Sequence, residues 1–314
     1  MAVGFVYHED CLNHVAGHGH PERPDRIRAI RTHLSDCGLL DRLLLIRPRP
    51  CSEDHLAGVH TRDYIDTIRE ACASAPAHLD ADTAVSAGSW DAALLSAGGA
   101  IAACDAVISG EADSAFVCTR PPGHHAETSR AMGFCLFNNI AVAARHAQMR
   151  HKIERVAIVD WDVHHGNGTQ HMFEADGSIL YFSTHQYPYY PGSGGPQERG
   201  HGEGEGLTIN VPMALGSGDA EYVRVFRETL RPALDRFRPG IILISAGFDA
   251  HRDDPLAGMA LTESGYADLT RLLIDSARDH CNGRIVSLLE GGYDLRALGA
   301  SVESHLKALL GEDR

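Results

Sequence analysis

Positive charge is scarce in this 314-residue chain: 28 Lys and Arg face 42 Asp and Glu, for a formal net charge of −14. Such a surface disfavours nonspecific nucleic-acid binding and anionic membranes, so neither partner is expected. The charge is otherwise a solubility feature with a loose attraction for cations. Paired cysteine motifs are also absent. The 8 cysteines include no C-x-x-C, and several sit in apolar runs, as Cys118 does in AFVCT and Cys135 in GFCLF. Free buried thiols are expected, because disulfide frameworks belong to small secreted domains. The opening MAVGFVYHED has no basic region followed by an apolar core, which argues against a signal peptide. No apolar run is read as reaching the length of about 18 needed to span a membrane. A reducing cytoplasm is the expected setting.

No low-complexity linker or basic tail interrupts the chain, so residues 1–314 read as one domain with a large core. Strands are predicted at residues 3–7, 43–46, 115–119, 156–163, 179–184, 207–211, 241–246 and 285–289. Helices are predicted at 26–34, 61–73, 88–107, 138–149, 219–237, 262–279 and 296–310. The central strands are continuous in Val, Ile and Leu, the pattern of strands covered on both faces. This alternation predicts an α/β fold: a single-domain open parallel sheet of about eight strands with helices on both faces. The Gly-rich stretch 192–206 contains GHGEGEG, but no strand-then-helix context supports a phosphate cradle there.

Open α/β sheets bind ligands beyond the carboxyl ends of their strands. Four predicted strands end in unusual residues. AFVCT runs into Arg120-Pro-Pro-Gly-His124-His125, and VAIVD into Trp161, Asp162, Val163 and His164. IILISAG ends in Phe248-Asp249-Ala-His251, and IVSLL in Glu290-Gly-Gly-Tyr293. Alternate side chains of a strand share a face, so Asp160, Asp162 and His164 are expected to point the same way. Three polar groups there are costly to bury without partners. A divalent cation is an economical partner, and Asp249 can add a ligand to Asp162 and His164 from a neighbouring strand end. Three protein ligands plus water is the arrangement of a catalytic zinc site. Two carboxylates and a neutral imidazole balance the double charge. The competing reading, a surface Asp/His cluster, sits poorly after so apolar a strand. Asp160 is read as orienting a histidine rather than binding the zinc.

His124 and His125 follow a turn stiffened by Pro121 and Pro122. Adjacent side chains diverge, so one imidazole can take a proton from a water while the other protonates a leaving amine. Taken alone, the pair reads equally well as a structural unit. Tyr293 follows two glycines, where its hydroxyl can donate to a carbonyl oxygen becoming an oxyanion; alone, it reads as a packing tyrosine.

Together these segments resemble the zinc-dependent histone deacetylase family, most closely its class II branch and the bacterial histone-deacetylase-like amidohydrolases. The carrying stretches are HPERPDR (20–26), RPPGHHA (120–126), GFCLFNN (133–139), VDWDVHHGNGTQHMF (159–173), SAGFDAHRDDPL (245–256) and LEGGYD (289–294). The resemblance implies one zinc per chain on Asp162, His164 and Asp249. It implies His124 and His125 as tandem catalytic histidines backed by Asp160 and Asn167, with Tyr293 polarising the acyl carbonyl. Asn167 stands where the class I branch has aspartate, which leaves His125 less basic. Gly133, Phe134 and Tyr190 match the acyl channel, Leu256 its gatekeeper, Asp82 a rim aspartate and Arg26 a buried structural arginine. Structural potassium is implied at two sites: one around Asp160, Asp162, His164, Ser183 and Thr184, the other around Phe173, Asp176 and Ile179. The implied activity is removal of acetyl or other acyl groups from lysine side chains. Acetylpolyamines or other small N-acyl amines are the alternative, although a polyamine-selective branch has glutamate where this chain has Leu256. The oligomeric state is left open. An arginase-like two-manganese hydrolase would need aspartates where Gly166 and His251 stand. A non-catalytic acyl-lysine reader would be expected to have lost Tyr293, His125 or a ligand, and all are present.

Overall fold

The computed structural model describes residues 1–312. Its strands are β1 Val3–Val6, β2 Leu44–Ile46, β3 Ala77–His78, β4 Ala84–Val85, β5 Ser114–Val117, β6 Val156–Asp160, β7 Ile179–Gln186, β8 Thr208–Met213, β9 Ile241–Ala246 and β10 Ile285–Leu289. Its helices are α1 Asp25–Asp36, α2 Glu53–Leu56, α3 Arg62–Ala73, α4 Ser89–Ser109, α5 Asn139–His151, α6 Asn167–Phe173, α7 Asp219–Val225, α8 Arg231–Phe237, α9 Glu263–Cys281 and α10 Leu295–Leu310. A single π-helical turn joins α7 to α8.

Eight strands form one all-parallel sheet in the order β2-β1-β5-β10-β9-β6-β7-β8. The predicted α/β architecture is therefore correct. β3 and β4 make a separate two-stranded antiparallel ribbon. The strand interiors are apolar because each is covered twice. Ala157, Val159, Ile242, Ile244 and Ile285 enter one core with residues of α1, α9 and α10, while Val156, Ile158, Ile241, Leu243 and Val286 enter a second core with α4 and α5. A third cluster lies under α2 and α3.

Three sequence expectations need correction. β6 ends at Asp160, not at residue 163. The alternation nonetheless persists, since Trp161 and Val163 join Ala157 and Val159 in the same core. The backbone amides that leave the ladder turn to side chains instead: Asp162 N donates to Asp160 Oδ1 at 3.2 Å, and His164 N to Asp162 Oδ1 at 2.9 Å. Next, α4 is 21 residues long and apolar enough to cross a membrane by composition, contrary to the expectation that no such run exists. Its Ala- and Gly-rich surface packs on α5 and the sheet, and two-thirds of its most apolar stretch is buried. It is a core helix whose small residues allow close approach. Finally, α6 was not foreseen, because seven residues containing Gly168 leave no readable period.

The four site-bearing strands are consecutive in the sheet: β5, β10, β9 and β6. Because all four are parallel, their carboxyl ends lie along one edge. Their polar tails must therefore converge.

Candidate active site

Asp162, His164 and Asp249 bring one potential ligand atom each within 4.8 Å of one another. Asp162 and Asp249 are buried, with His164 partly so. His164 Nδ1 lies 3.1 Å from Asp162 Oδ1 and 3.2 Å from Asp249 Oδ2. Asp162 Oδ2 accepts from Gly291 N at 2.8 Å, and Asp249 Oδ1 from Val163 N at 2.9 Å. Asp249 Oδ2 is buried and, apart from the 3.2 Å approach of His164 Nδ1, meets no hydrogen-bond donor among the described residues. A buried carboxylate oxygen without a donor is costly. An ion held by both carboxylates and the imidazole would satisfy it. Glycine at 247 and 291 keeps the space open, since a Cβ at either would strike the Asp162 or Asp249 carboxylate. The donor set thus fits a divalent metal of the zinc type. Position 166 has room for nothing beyond glycine, because a Cβ would meet Asp160 Oδ2. His251 turns toward Glu263, with Nε2 at 3.5 Å from Oε2. Gly166 therefore offers no ligand for a second metal, and His251 is not among the residues that converge with Asp162, His164 and Asp249.

The paired histidines stand with ring centroids 4.0 Å apart. His124 Nδ1 donates to Asp160 Oδ2 at 3.0 Å, and its Nε2 lies 3.9 Å from Asp162 Oδ1. Burial alone would lower its pKa. The nearby carboxylates of Asp160 and Asp162 overcome this and push it up to about 10. His125 Nδ1 lies 2.8 Å from Asn167 Oδ1. Asn167 Nδ2 donates to Glu127 Oε1 at 2.9 Å, which fixes the amide with its oxygen toward the imidazole. His125 therefore carries its proton on Nδ1 and presents a lone pair on Nε2. Burial, then the charges of His124 and His164, hold its pKa well below the usual value.

Both rings open onto a narrow cavity of about 90 Å³ lined by Asp82, Gly133, Phe134, Tyr190, Leu256 and Tyr293, among others. Gly133 and Phe134 both have left-handed backbones, at φ +56° and +70°. A Cβ at 133 would run into the His125 ring, so only glycine serves there. Phe134 is a strained position for a bulky residue. Thr83 Oγ1 helps hold it by accepting from its amide at 3.1 Å, and the His20 ring meets Phe134 edge-on at 4.6 Å. Phe134 in turn meets Tyr293 at 6.1 Å and 84°, and Tyr190 meets His125 at 5.2 Å and 85°. Asp82, Gly133, Phe134, Tyr190 and Leu256 thus each lie on one wall or another of this cavity.

Tyr293 is held by residues far away in sequence. Its amide donates to Asp254 Oδ2 at 2.7 Å, while Asp294 caps α10 directly after it. Arg26 Nε donates to Gly292 O at 2.7 Å, and its guanidinium lies 4.8 Å from the Tyr293 ring centroid. Arg26 is in turn paired with buried Glu22, which also binds Arg120 through both oxygens at 2.5 Å. Glu290 accepts from the amides of Gly123 and His124 at 2.7 and 3.2 Å. The sequence pattern assigns no role to Glu22, Arg120, Glu127, Asp254 or Glu290, although all but Glu127 lie inside the motifs.

Of the residues around the first expected potassium site, Asp160 faces Ser183 across β6 and β7, and the buried Thr184 hydroxyl has no hydrogen-bond partner among the described residues. At the second, Arg145 already sits 2.7 Å from the Asp176 carboxylate and 4.8 Å over the Phe173 ring. Any ion there would have to rely on backbone carbonyls.

Residues 20–309 match the histone deacetylase domain. A histone deacetylase-like amidohydrolase of Pseudomonas aeruginosa is 41% identical over 309 residues, covering 93% of this chain and 81% of that protein. The human polyamine deacetylase HDAC10 is 38% identical over 332 residues, covering 99% of this chain and 48% of that protein. The crystal structure of the HDA15 HD domain superimposes with a TM-score of 0.94 at 40% identity, covering 99% of this chain and 90% of that one. Sequence, fold and the convergence of all six motifs at one strand edge agree: this chain belongs to the histone deacetylase family.

Proposed function

We propose that the chain is a zinc-dependent amidohydrolase that removes acetyl or related acyl groups from lysine side chains of peptides or proteins. The observation that carries this reading is the pairing of two unlike histidines beside a buried ligand cluster. One is held as a cation by Asp160, and the other is held as a neutral base by Asn167. Zinc, held by Asp162, His164 and Asp249, would supply Lewis-acid polarisation of the acyl carbonyl and a more acidic water. His125 Nε2 takes the proton from the attacking water and later returns it to the departing amine. His124 stays protonated and steadies the negative charge that develops between them. The Tyr293 hydroxyl, kept protonated by burial, donates to the carbonyl oxygen as it becomes an oxyanion. Phe134 and Tyr190 flank the acyl-lysine stem and exclude water. Asp82 at the rim grips substrate amides. A structural potassium beside Asp160, Ser183 and Thr184 belongs to the same reading, as does a reducing cytoplasm for a chain whose eight cysteines are free.

A small acetylated polyamine is the second reading, favoured by the relationship to HDAC10. Leu256 disfavours it, because an apolar side chain at the mouth offers no charge partner to a second ammonium. A turnover panel of acetyl-lysine peptides, longer acyl-lysines and acetylpolyamines, run with and without chelator, decides between the two. Chelator-sensitive cleavage of the peptides is expected to dominate. No chelator-sensitive turnover of any member would overturn the amidohydrolase reading itself.

A further inference from the structure

A second cluster of metal-ligating side chains lies outside the cavity just described. Asp105 projects from α4, and His146 and His151 from the last turns of α5. The Nε2 atoms of both histidines converge on one carboxylate oxygen, Asp105 Oδ1, at 2.7 and 2.5 Å. The two rings approach it from different directions, with centroids 5.4 Å apart and planes at 74°. His146 is buried, His151 partly so, and Asp105 is half exposed. The His55 ring, on α2, stands 5.5 Å from that of His146. Its Nδ1 is engaged by Ser52 Oγ at 2.8 Å, so Nε2 is the nitrogen it can offer.

We infer that Asp105, His146 and His151 form a second binding site for a divalent transition metal, with His55 as an available fourth ligand. Nitrogen and carboxylate ligands sit about 2.0–2.2 Å from zinc, which spaces tetrahedral ligand atoms roughly 3.3–3.6 Å apart. The present nitrogen-to-oxygen spacings are 2.7 and 2.5 Å, so moving the carboxylate oxygen by under about 1 Å brings them to that range. Asp105 is exposed enough to make that move, while buried His146 stays fixed. Imidazole-rich sites of this kind favour zinc, copper or nickel over magnesium or calcium. The carbonyl-rich end of α5 adds a favourable partial negative charge for a cation. Such an ion would tie α4, α5 and α2 together. It would also brace the helix whose other end holds the paired histidines in place: Asn138 caps α5 and donates to Ala126 O at 3.2 Å. The site is independent of what the channel cleaves.

The test is a zinc titration of metal-stripped protein, followed by competition with a chromophoric chelator, and a parallel titration with cobalt read by its visible absorption. Two metals per chain are expected in the wild type. H146Q/H151Q is expected to bind one, with turnover kept within about twofold. D162N/D249N is expected to keep the other and to retain imidazole-type cobalt bands. Melting temperature should rise with zinc in D162N/D249N and lose that rise when D105N is added. D105N alone changes a half-exposed residue and guards against a folding failure in the histidine double variant. A single metal per chain in the wild type, or a second one unaffected by H146Q/H151Q and D105N, would overturn the inference.

Discussion

His124 and His125 are consecutive, almost equally buried and tilted at 44° with ring centroids 4.0 Å apart, yet their surroundings push their pKa values in opposite directions. The difference comes from the next layer out. Asp160 is anionic and aligned with His124 Nδ1, so it stabilises the imidazolium. Asn167 is neutral and aligned with His125 Nδ1, so it fixes a tautomer without adding charge. The first cation then suppresses a second one beside it. In the proposed reading, two identical side chains serve as a supporting cation and a base because the residues behind them differ by one functional group.

The sharpest way to break this comparison is to delete each ring. His125→Ala is expected to lose the most turnover, about 10³–10⁴-fold in kcat, because proton transfer by a positioned base contributes on that scale. His124→Ala should cost less, about 10²-fold, since it removes a supporting charge and leaves the base. Steady-state kinetics on one acetyl-lysine peptide compare the two. If the His124 variant is the more impaired, the roles are reversed. Tyr293→Phe falls between them, at about 10²–10³-fold in kcat, the typical loss for one oxyanion donor. KM should change little, because the missing bond is made chiefly in the transition state.

Much of this site was legible in the sequence because its residues cluster at strand ends. Asp162, His164 and Asp249 follow the apolar runs VAIVD and IILISA, where a polar residue needs a reason. The channel wall was readable only through the motif GFCLFNN, since nothing in local pattern shows that Gly133 must be flat against the His125 ring. What stayed hidden depends on partners distant in sequence. Asp254 reaches the Tyr293 amide and Glu22 reaches Arg120, and in neither case does local periodicity record the contact. The end of β6 was equally unreadable. Ala157, Val159, Trp161 and Val163 keep to one core, but the regular strand stops at Asp160 and side chains take over the amides from Asp162 onward.

The supporting residues can be exchanged more gently. Asp160→Asn keeps the shape but removes the charge that holds His124 protonated. The carboxylates of Asp160 and Asp162 push the His124 pKa up to about 10, so activity that depends on its charge is expected to fall only on the alkaline side. In the variant, its pKa drops and the alkaline limb of the kcat profile should move down by at least one unit. An unmoved limb would mean that another group sets it.

Asn167→Asp is the subtlest exchange. A carboxylate would accept from His125 Nδ1 as the amide does, but it would also stabilise the imidazolium. One opposite charge at this range raises a histidine pKa by about 1–3 units. If His125 works as the neutral base, as proposed, activity is present above its pKa and lost as pH falls through it. Raising that pKa should therefore move the acidic limb of kcat/KM to higher pH by about one unit. The rate well above the limb should change little, because a stronger base gains in proton affinity what it loses in release. Glu127 complicates the geometry, since Asn167 Nδ2 donates to it and a new carboxylate would repel it. Adding Glu127→Gln should relieve that repulsion while keeping the shifted limb. An acidic limb that stays in place in both variants would show that the amide at 167 sets the position of His125 but not its basicity.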